Sequence, residues 1–322
     1  NDAPLAVADA GTVAENATLV VGAAAGVLAN DTDVDAGDGK TVSAVAFGAA
    51  SGSVGTGLNG SYGTLTLNAD GSYSYSANRP AVEALAPGQS VDEVFTYTVR
   101  DTAGLLSSTT LTITVTGAND APVITSNGGG ATAALSVAEN ATAVTTVTAT
   151  DVDAGQARTY SIVGGADAAR FAIDPATGAL SFVAPPNFEA PADADGNNVY
   201  VVQVQAADGS GGVDLQTLNI SVTNVNEAPV ISSNGGGNSA AISVAENGTA
   251  VTTVAATDPE AGALTYSIAG GADAARFSIN AATGALVFVA PPNFEAPTDT
   301  DGNNVYQVVV RAADAAGNAD TQ

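Results

Sequence analysis

Residues 122–216 and 229–322 are two copies of one sequence, and this duplication restricts the architecture more than any other feature of the chain. Pro122 aligns with Pro229, a step of 229 − 122 = 107, and Tyr160 with Tyr266, a step of 266 − 160 = 106. The lost residue lies between Gly155 and Thr159, where the second copy has only Gly262-Ala263-Leu264-Thr265. GGADAARF stands at Gly164 and Gly270, FVAPPNFEAP at Phe182 and Phe288, and DGNNVY at Asp195 and Asp301. Segments this alike must share a fold. The period is too long for a solenoid, whose repeats run about 20–50 residues, and suits a small sandwich domain of about 100 residues.

The hydrophobic pattern inside the repeat has period two. In VYVVQVQAAD, Tyr200, Val202, Val204 and Ala206 fall on one face, and Tyr306, Val308, Val310 and Ala312 repeat it. Leu111, Ile113 and Val115 alternate with threonines. Such runs, separated by Gly, Asn and Asp, predict antiparallel strands, and helical periodicity is nowhere sustained. In the segment before the duplication, Tyr62–Asn78 reads as a β-hairpin turning at Asp70-Gly71, with Tyr73 and Tyr75 on one face.

A short polar motif ending in proline precedes each run of strands: Asn1-Asp2-Ala3-Pro4, Asn119-Asp120-Ala121-Pro122 and Asn224-Val225-Asn226-Glu227-Ala228-Pro229. These are read as joints between domains at 1–118, 119–225 and 226–322. Acidic residues recur at fixed places around them. The second domain has Glu139, then Asp151 and Asp153, then Asp208; the third has Glu246, then Asp258 and Glu260, then Asp314. The first has Glu15, then Asp31, Asp33 and Asp35, then Asp101. Clustered carboxylates repel unless neutralised. A hard cation taking 6–8 oxygen ligands is their natural partner, and calcium fits better than magnesium, which keeps its waters.

Composition narrows the alternatives. With 33 acidic residues against 7 basic ones and a net charge of −26, nucleic acid and anionic membrane surfaces are excluded as partners, since both need clustered Lys and Arg. Cysteine and histidine are absent, which removes disulfides, thiolate chemistry, the usual zinc ligand and the commonest general base. A hydrophobic content of 45% separates the chain from acidic disordered sequences. No apolar run reaches the ~18 residues of a membrane span. The chain opens on Asn rather than Met, without a basic and apolar leader, so it is expected to be part of something longer. Acids that repeat domain by domain do not form the single convergent pocket of an enzyme, and no catalytic activity is expected.

With these residues in view, residues 119–322 resemble cadherin domains in the bacterial cadherin-like form, carrying AEN, ATDVD, YSI, FAIDPATG, NFE, AAD and NVNEAP in the family's order. The first segment resembles the VCBS repeat through GVLANDTDVD, YGTLTLNADGSYSY, DEVFTYTVRD and TGANDAP. Both repeats occur in giant surface adhesins of the RTX class. The resemblance implies an all-β fold of tandem Ig-like, antiparallel Greek-key sandwiches arranged end to end, with Ca2+ between neighbours. Carried over by position, one joint would use Glu139, Glu189, Asn226, Glu227, Asp258, Glu260 and Asp314, and the joint before it Glu15, Asn119, Asp120, Asp151, Asp153 and Asp208. Three departures remove charge or oxygen: Asn187, Asn224 and Gly117 stand where the family has Asp. The linker is also one residue short. Fewer ions per joint than in animal cadherins are therefore expected, and the first segment offers no clear counterpart of Glu189.

The expected function is that of a secreted, extracellular spacer of a bacterial adhesin or biofilm protein, stiffened by calcium and contacting neighbouring domains of a longer chain. Binding a surface glycan, a protein or identical chains is the alternative. A second acidic motif, Asp193-Ala-Asp195-Gly196-Asn197, lacks the Gly and Glu spacing of an EF-hand and is read as an acidic turn. Six glycosylation sequons carry little weight in a Thr-rich chain. The third copy stops at Gln322, the counterpart of Gln216, without the TLNISVTNVN that closes the second. Its last strand is expected to lie outside this sequence or to be supplied by another chain.

Overall fold

The structure, a computed structural model, describes residues 1–322 and contains strands and short 3-10 turns, with no α-helix. Three separate hydrophobic cores lie along the chain, spanning Val13–Val115, Ile124–Val222 and Ile231–Ala312. The alternation read from the sequence is the alternation of burial. Val202, Val204 and Ala206 are wholly buried with Tyr200, and the residues between them are half-exposed.

The second domain shows the repeat in full. One sheet runs Thr132–Ala138, Val213–Thr223, Val199–Ala207, Thr159–Gly164, and the facing sheet runs Ala143–Thr146, Ala179–Phe182, Phe171–Ile173. Phe171, Phe182 and Tyr200 meet between the layers, Phe182 and Tyr200 edge-on with ring centroids 5.1 Å apart. Leu218, Ile220 and Val222 complete that core from the sheet's long central strand. Burying each such side chain fully contributes about 1.5–3 kcal/mol.

The first domain has five and four strands in its two sheets. Its predicted hairpin pairs Thr64–Leu67 with Tyr73–Ser76. The turn is a three-residue loop rather than a two-residue one. Asn68 and Ser72 close it, and Gly71 takes a φ of 82°, the left-handed position such a loop reserves for glycine.

One expectation needs correction: the sheets are not purely antiparallel. In the first domain Asp9–Ala14 pairs parallel with Leu106–Thr116, and in the second Thr132–Ala138 pairs parallel with Val213–Thr223. In these two sandwiches Asp9–Ala14 and Thr132–Ala138 therefore end where the last strand of the domain ends. The third domain departs further. Its counterpart of the long last strand covers only Ala319–Thr321, and residues 239–245, the counterpart of Thr132–Ala138, form no strand.

Candidate metal centres at the domain joints

The parallel pairing builds half of each site. Because the first and last strands run together, the Ala-Glu-Asn turn is delivered beside the linker that follows. Ala14 pairs with Thr116, and the Glu15 amide donates to the Thr116 carbonyl at 2.8 Å. The Glu15 carboxylate then accepts from the Ala118 amide at 2.9 Å. One domain later, Glu139 donates its amide to Thr223 at 3.0 Å and accepts from Val225 at 2.8 Å. Its other oxygen accepts from the Phe188 amide at 2.8 Å, which ties in the loop carrying Glu189. Asn16 and Asn140, which follow the glutamates, take φ of 58° and 63°, values Asn tolerates better than most residues.

The other half comes from the following domain. The two-residue ladder Val123–Ile124 with Ala149–Thr150 fixes the chain after the linker to the chain before Asp151. The Asp120 amide donates to Asp153 at 2.9 Å, and the Asn119 side chain donates to Asp208 at 2.8 Å. The third domain repeats the device with Val230–Ile231 against Ala256–Thr257, Glu227 donating to Glu260 at 3.2 Å and Asn226 donating to Asp314.

Carboxylates from two domains and the linker thus converge. Glu139 and Glu189 from the second domain, Glu227 from the linker and Glu260 from the third each place an oxygen within 4.8 Å of the others. At the preceding joint Glu15, Glu83 and Asp120 do the same. Ligands about 2.4 Å from one shared ion lie at most about 4.8 Å apart, so both groups are tight enough to close on one calcium-sized cation. Glu15 and Asp153 are almost fully buried, at 5% and 3% exposure, yet Glu15 Oε1 and Asp153 Oδ1 have no hydrogen-bond partner. Neither do single oxygens of Asp120, Asp151, Glu189, Glu227, Asp258 and Glu260. Asp31 and Asp33, at the opening end of the first domain where Asp33, Asp38 and Asp101 form a third carboxylate group, also have an unpartnered oxygen. Buried polar atoms are normally satisfied, so orphaned oxygens gathered in this way fit the ligands of a cation.

The electrostatics agree. Burial pushes the Glu15 carboxyl above its usual range, and Asp120, Glu83 and Asp153 add to the shift. Burial also raises Asp120, Asp153 and Asp258, each next to further acids. Asp208 goes the other way: burial opposes its charge, but the Asn119 side chain and the amides of Ser210, Gly212 and Gly211 hold it low. Asp314 is held low by Asn226 first, then by the Gly317 and Asn318 amides, against burial.

Of the residues named from sequence, Glu139, Glu189, Glu227 and Glu260 form one group. Asn226, Asp258 and Asp314 adjoin it on the third domain. Glu15 and Asp120 form the other group, with Asn119, Asp151, Asp153 and Asp208 next to it on the second domain. Glu83 was missed. It supplies the counterpart of Glu189 that the first segment lacked, from the 3-10 turn Val82–Ala84. A usable signal existed, since Glu83 lies 117 − 83 = 34 residues before Gly117 and Glu189 lies 224 − 189 = 35 before Asn224. Gln156 was also missed; its amide donates to Asn119 at 3.0 Å and Asp153 at 2.9 Å.

Two of the three departures from the family pattern have local causes. Gly117 passes so close to the Leu85 carbonyl that a Cβ there would lie 2.0 Å from its oxygen. Asn224 donates to Glu189 at 2.6 Å, supplying a hydrogen bond where a carboxylate would add repulsion. The Asp193 motif folds back on itself, with both oxygens taking the amides of Asn197 and Asn198. That is the acidic turn expected of it.

A family model described as a bacterial cadherin-like domain matches residues 1–117, and one described as a cadherin domain matches 133–223 and 240–322. The Protocadherin-like wing polarity protein stan of Drosophila melanogaster is 33% identical over 181 residues, 54% of this chain and 5% of that protein. Human Protocadherin Fat 1 is 32% identical over 177 residues, 52% of this chain and 4% of that protein. The chain therefore spans about one-twentieth of the length of these relatives. The crystal structure of human CDH23 EC21-23 superimposes with a TM-score of 0.57 at 18% identity, covering 99% of each chain, which is agreement in fold. The two cadherin-domain matches cover more than half of the 322 residues, and the chain belongs to the cadherin domain family.

Proposed function

We propose that this chain is a calcium-stiffened spacer in a secreted bacterial surface adhesin, with Ca2+ bridging successive domains. Glu15, Glu83, Asp120 and the Asp151–Asp153–Asp208 set would hold the ion at the first joint. Glu139, Glu189, Glu227, Glu260 and the Asn226–Asp258–Asp314 set would hold it at the second. A bound dication supplies the positive charge that these oxygens lack and makes bending at the linker costly, because bending would separate ligands on two domains. One observation carries the reading: four carboxylates from two domains and their linker crowd within 4.8 Å, three of them with an unpartnered oxygen.

The bacterial setting is supported by the match of residues 1–117 to a bacterial cadherin-like domain, and an RTX-type, VCBS-bearing biofilm adhesin is the parent protein we favour. Extracellular calcium sites need affinities of only about 10⁻⁴–10⁻³ M, so the joints would remain loose in a calcium-poor cytosol and set after export. Small-angle scattering tests this directly. Millimolar calcium is expected to lengthen and stiffen the three-domain particle, and EDTA to reverse it. An identical profile in both conditions would overturn the proposal.

A further inference from the structure

One position beside the acidic turns changes from domain to domain while the turn itself does not. Asp33-Val34-Asp35-Ala36-Gly37 is followed by Asp38, Asp151-Val152-Asp153-Ala154-Gly155 by Gln156, and Asp258-Pro259-Glu260-Ala261-Gly262 by Ala263. The same place thus carries a carboxylate, an amide and a methyl group. Asp38 brings an oxygen within 4.8 Å of Asp33 and Asp101, so a side chain with a polar end reaches the neighbouring acids from here.

Gln156 reaches them with a donor. Its Nε2 donates to Asp153 Oδ2 at 2.9 Å and to Asn119 Oδ1 at 3.0 Å, and Asn119 Nδ2 donates in turn to Asp208 Oδ2 at 2.8 Å. Two amides therefore tie Asp153 to Asp208 across the linker. Both partners of Nε2 are acceptors, which fixes which way round the Gln156 amide lies. Asp153 Oδ2 also accepts from the Asp120 backbone amide at 2.9 Å. Two donors thus anchor that oxygen and leave Asp153 Oδ1 buried and unpartnered. Gln156 Oε1 has no partner either, an unfavourable state for an amide that merely fills space.

The third domain lacks this tie. Asn226 still donates to Asp314, and the Glu227 amide still donates to Glu260 at 3.2 Å, but Ala263 has no donor to offer. Glu260 also has one more rotatable bond than Asp153. Asp153 and Asp208 are almost fully buried, whereas Glu260 and Asp314 are only half-buried.

We propose, resting on the calcium reading above, that Gln156 is a positioning residue of the first joint. It holds Asp153 and Asn119 in the arrangement the cation needs, and the position it occupies sets how much calcium a joint requires. A side chain already fixed loses less conformational freedom on binding, and groups that orient ligands typically govern metal affinity by about 10–100-fold. The second joint, without this aid, orders Glu260 and Asn226 only as the ion arrives.

The test is a calcium titration of the 322-residue protein followed by NMR, with the backbone amides of Asp120 and Glu227 reporting the two joints separately. Gln156→Ala is expected to raise the calcium concentration at half-saturation about tenfold at Asp120 and to leave it unchanged at Glu227. Replacing residues 262–265 by the sequence Gly-Gln-Ala-Arg-Thr of residues 155–159 should lower it at Glu227 to a similar degree, a gain that damage to the fold does not produce. In EDTA the side-chain NH2 protons of Gln156 should exchange slowly with solvent, as their bonds to Asn119 and Asp153 require. An unchanged midpoint at Asp120 in Gln156→Ala, an equal loss at both joints, a transplanted loop without effect at Glu227, or fast exchange of the Gln156 NH2 would each overturn the role of Gln156 and leave the calcium bridge standing. A parent protein whose Asp120 and Glu227 amides do not respond to calcium would overturn the bridge and this role together.

Discussion

Replacing Glu189 by Gln separates the metal's role from that of the scaffold. Glu189 is half-buried; one oxygen accepts from Asn224 at 2.6 Å and the other has no partner. Glutamine keeps the first contact and removes the charge. Two unit charges 4 Å apart at an effective dielectric of about 20 repel by about 4 kcal/mol. Partial exposure and salt reduce that to about 1 kcal/mol per pair. Glu189 faces Glu139, Glu227 and Glu260 within 4.8 Å, so without a cation the substitution relieves about 3 kcal/mol of repulsion. With calcium it has the opposite effect. Calcium at a hundred times Kd stabilises the joint by about 2.7 kcal/mol, and a variant binding about tenfold more weakly forfeits about 1.4 kcal/mol of that. Scanning calorimetry should therefore show Glu189→Gln melting above the parent in EDTA, while its calcium-induced rise in melting temperature is smaller. A calcium-induced rise as large as the parent's would refute the assignment of Glu189 to the site. A lower melting temperature in EDTA would refute the repulsion.

Three further outcomes follow from the same geometry. Glu83→Ala should weaken calcium binding at the first joint about tenfold and leave the second joint unchanged, read by titration of each two-domain pair. Gly117→Ala should destabilise the first domain by about 1–3 kcal/mol in urea, because its Cβ would collide with the Leu85 carbonyl. In the calcium-free protein Glu15, Asp120 and Asp153 have raised pKa values through burial. These three groups then hold protons more tightly in the folded joint than in the unfolded chain. The contribution of these three groups to stability is greatest below the ordinary carboxylate range and falls as pH rises through the raised values, while Asp208, held low, contributes with the opposite sign. Calcium must displace those protons. Calorimetry in two buffers of different ionisation enthalpy should show proton release growing, and affinity dropping, as pH is lowered through that window.

Much of this was legible because it is local. Tyr200, Val202, Val204 and Ala206 alternate in the sequence and are buried together in the fold, since a strand alternates faces whatever its neighbours. The acidic positions were visible because they repeat with the domains. Glu83 carries only the spacing to its linker as a signal, because its importance depends on a 3-10 turn folding toward Glu15, 68 residues earlier in the chain (83 − 15). Gln156 was passed over because nothing in its sequence neighbourhood shows that its amide reaches Asn119.

The sequence alone determined that the chain is all-β, that it repeats, and that its acids gather near the linkers. These properties are periodicities, and a periodicity needs no partner to be read. Tertiary structure decided which strand runs parallel to which, and hence that Glu15 and Glu139 stand beside the linker rather than at the far end of the sandwich. It also decided which oxygens are left unpaired. Pairing direction and desolvation arise only when distant segments share the same space, and no single stretch of chain records either.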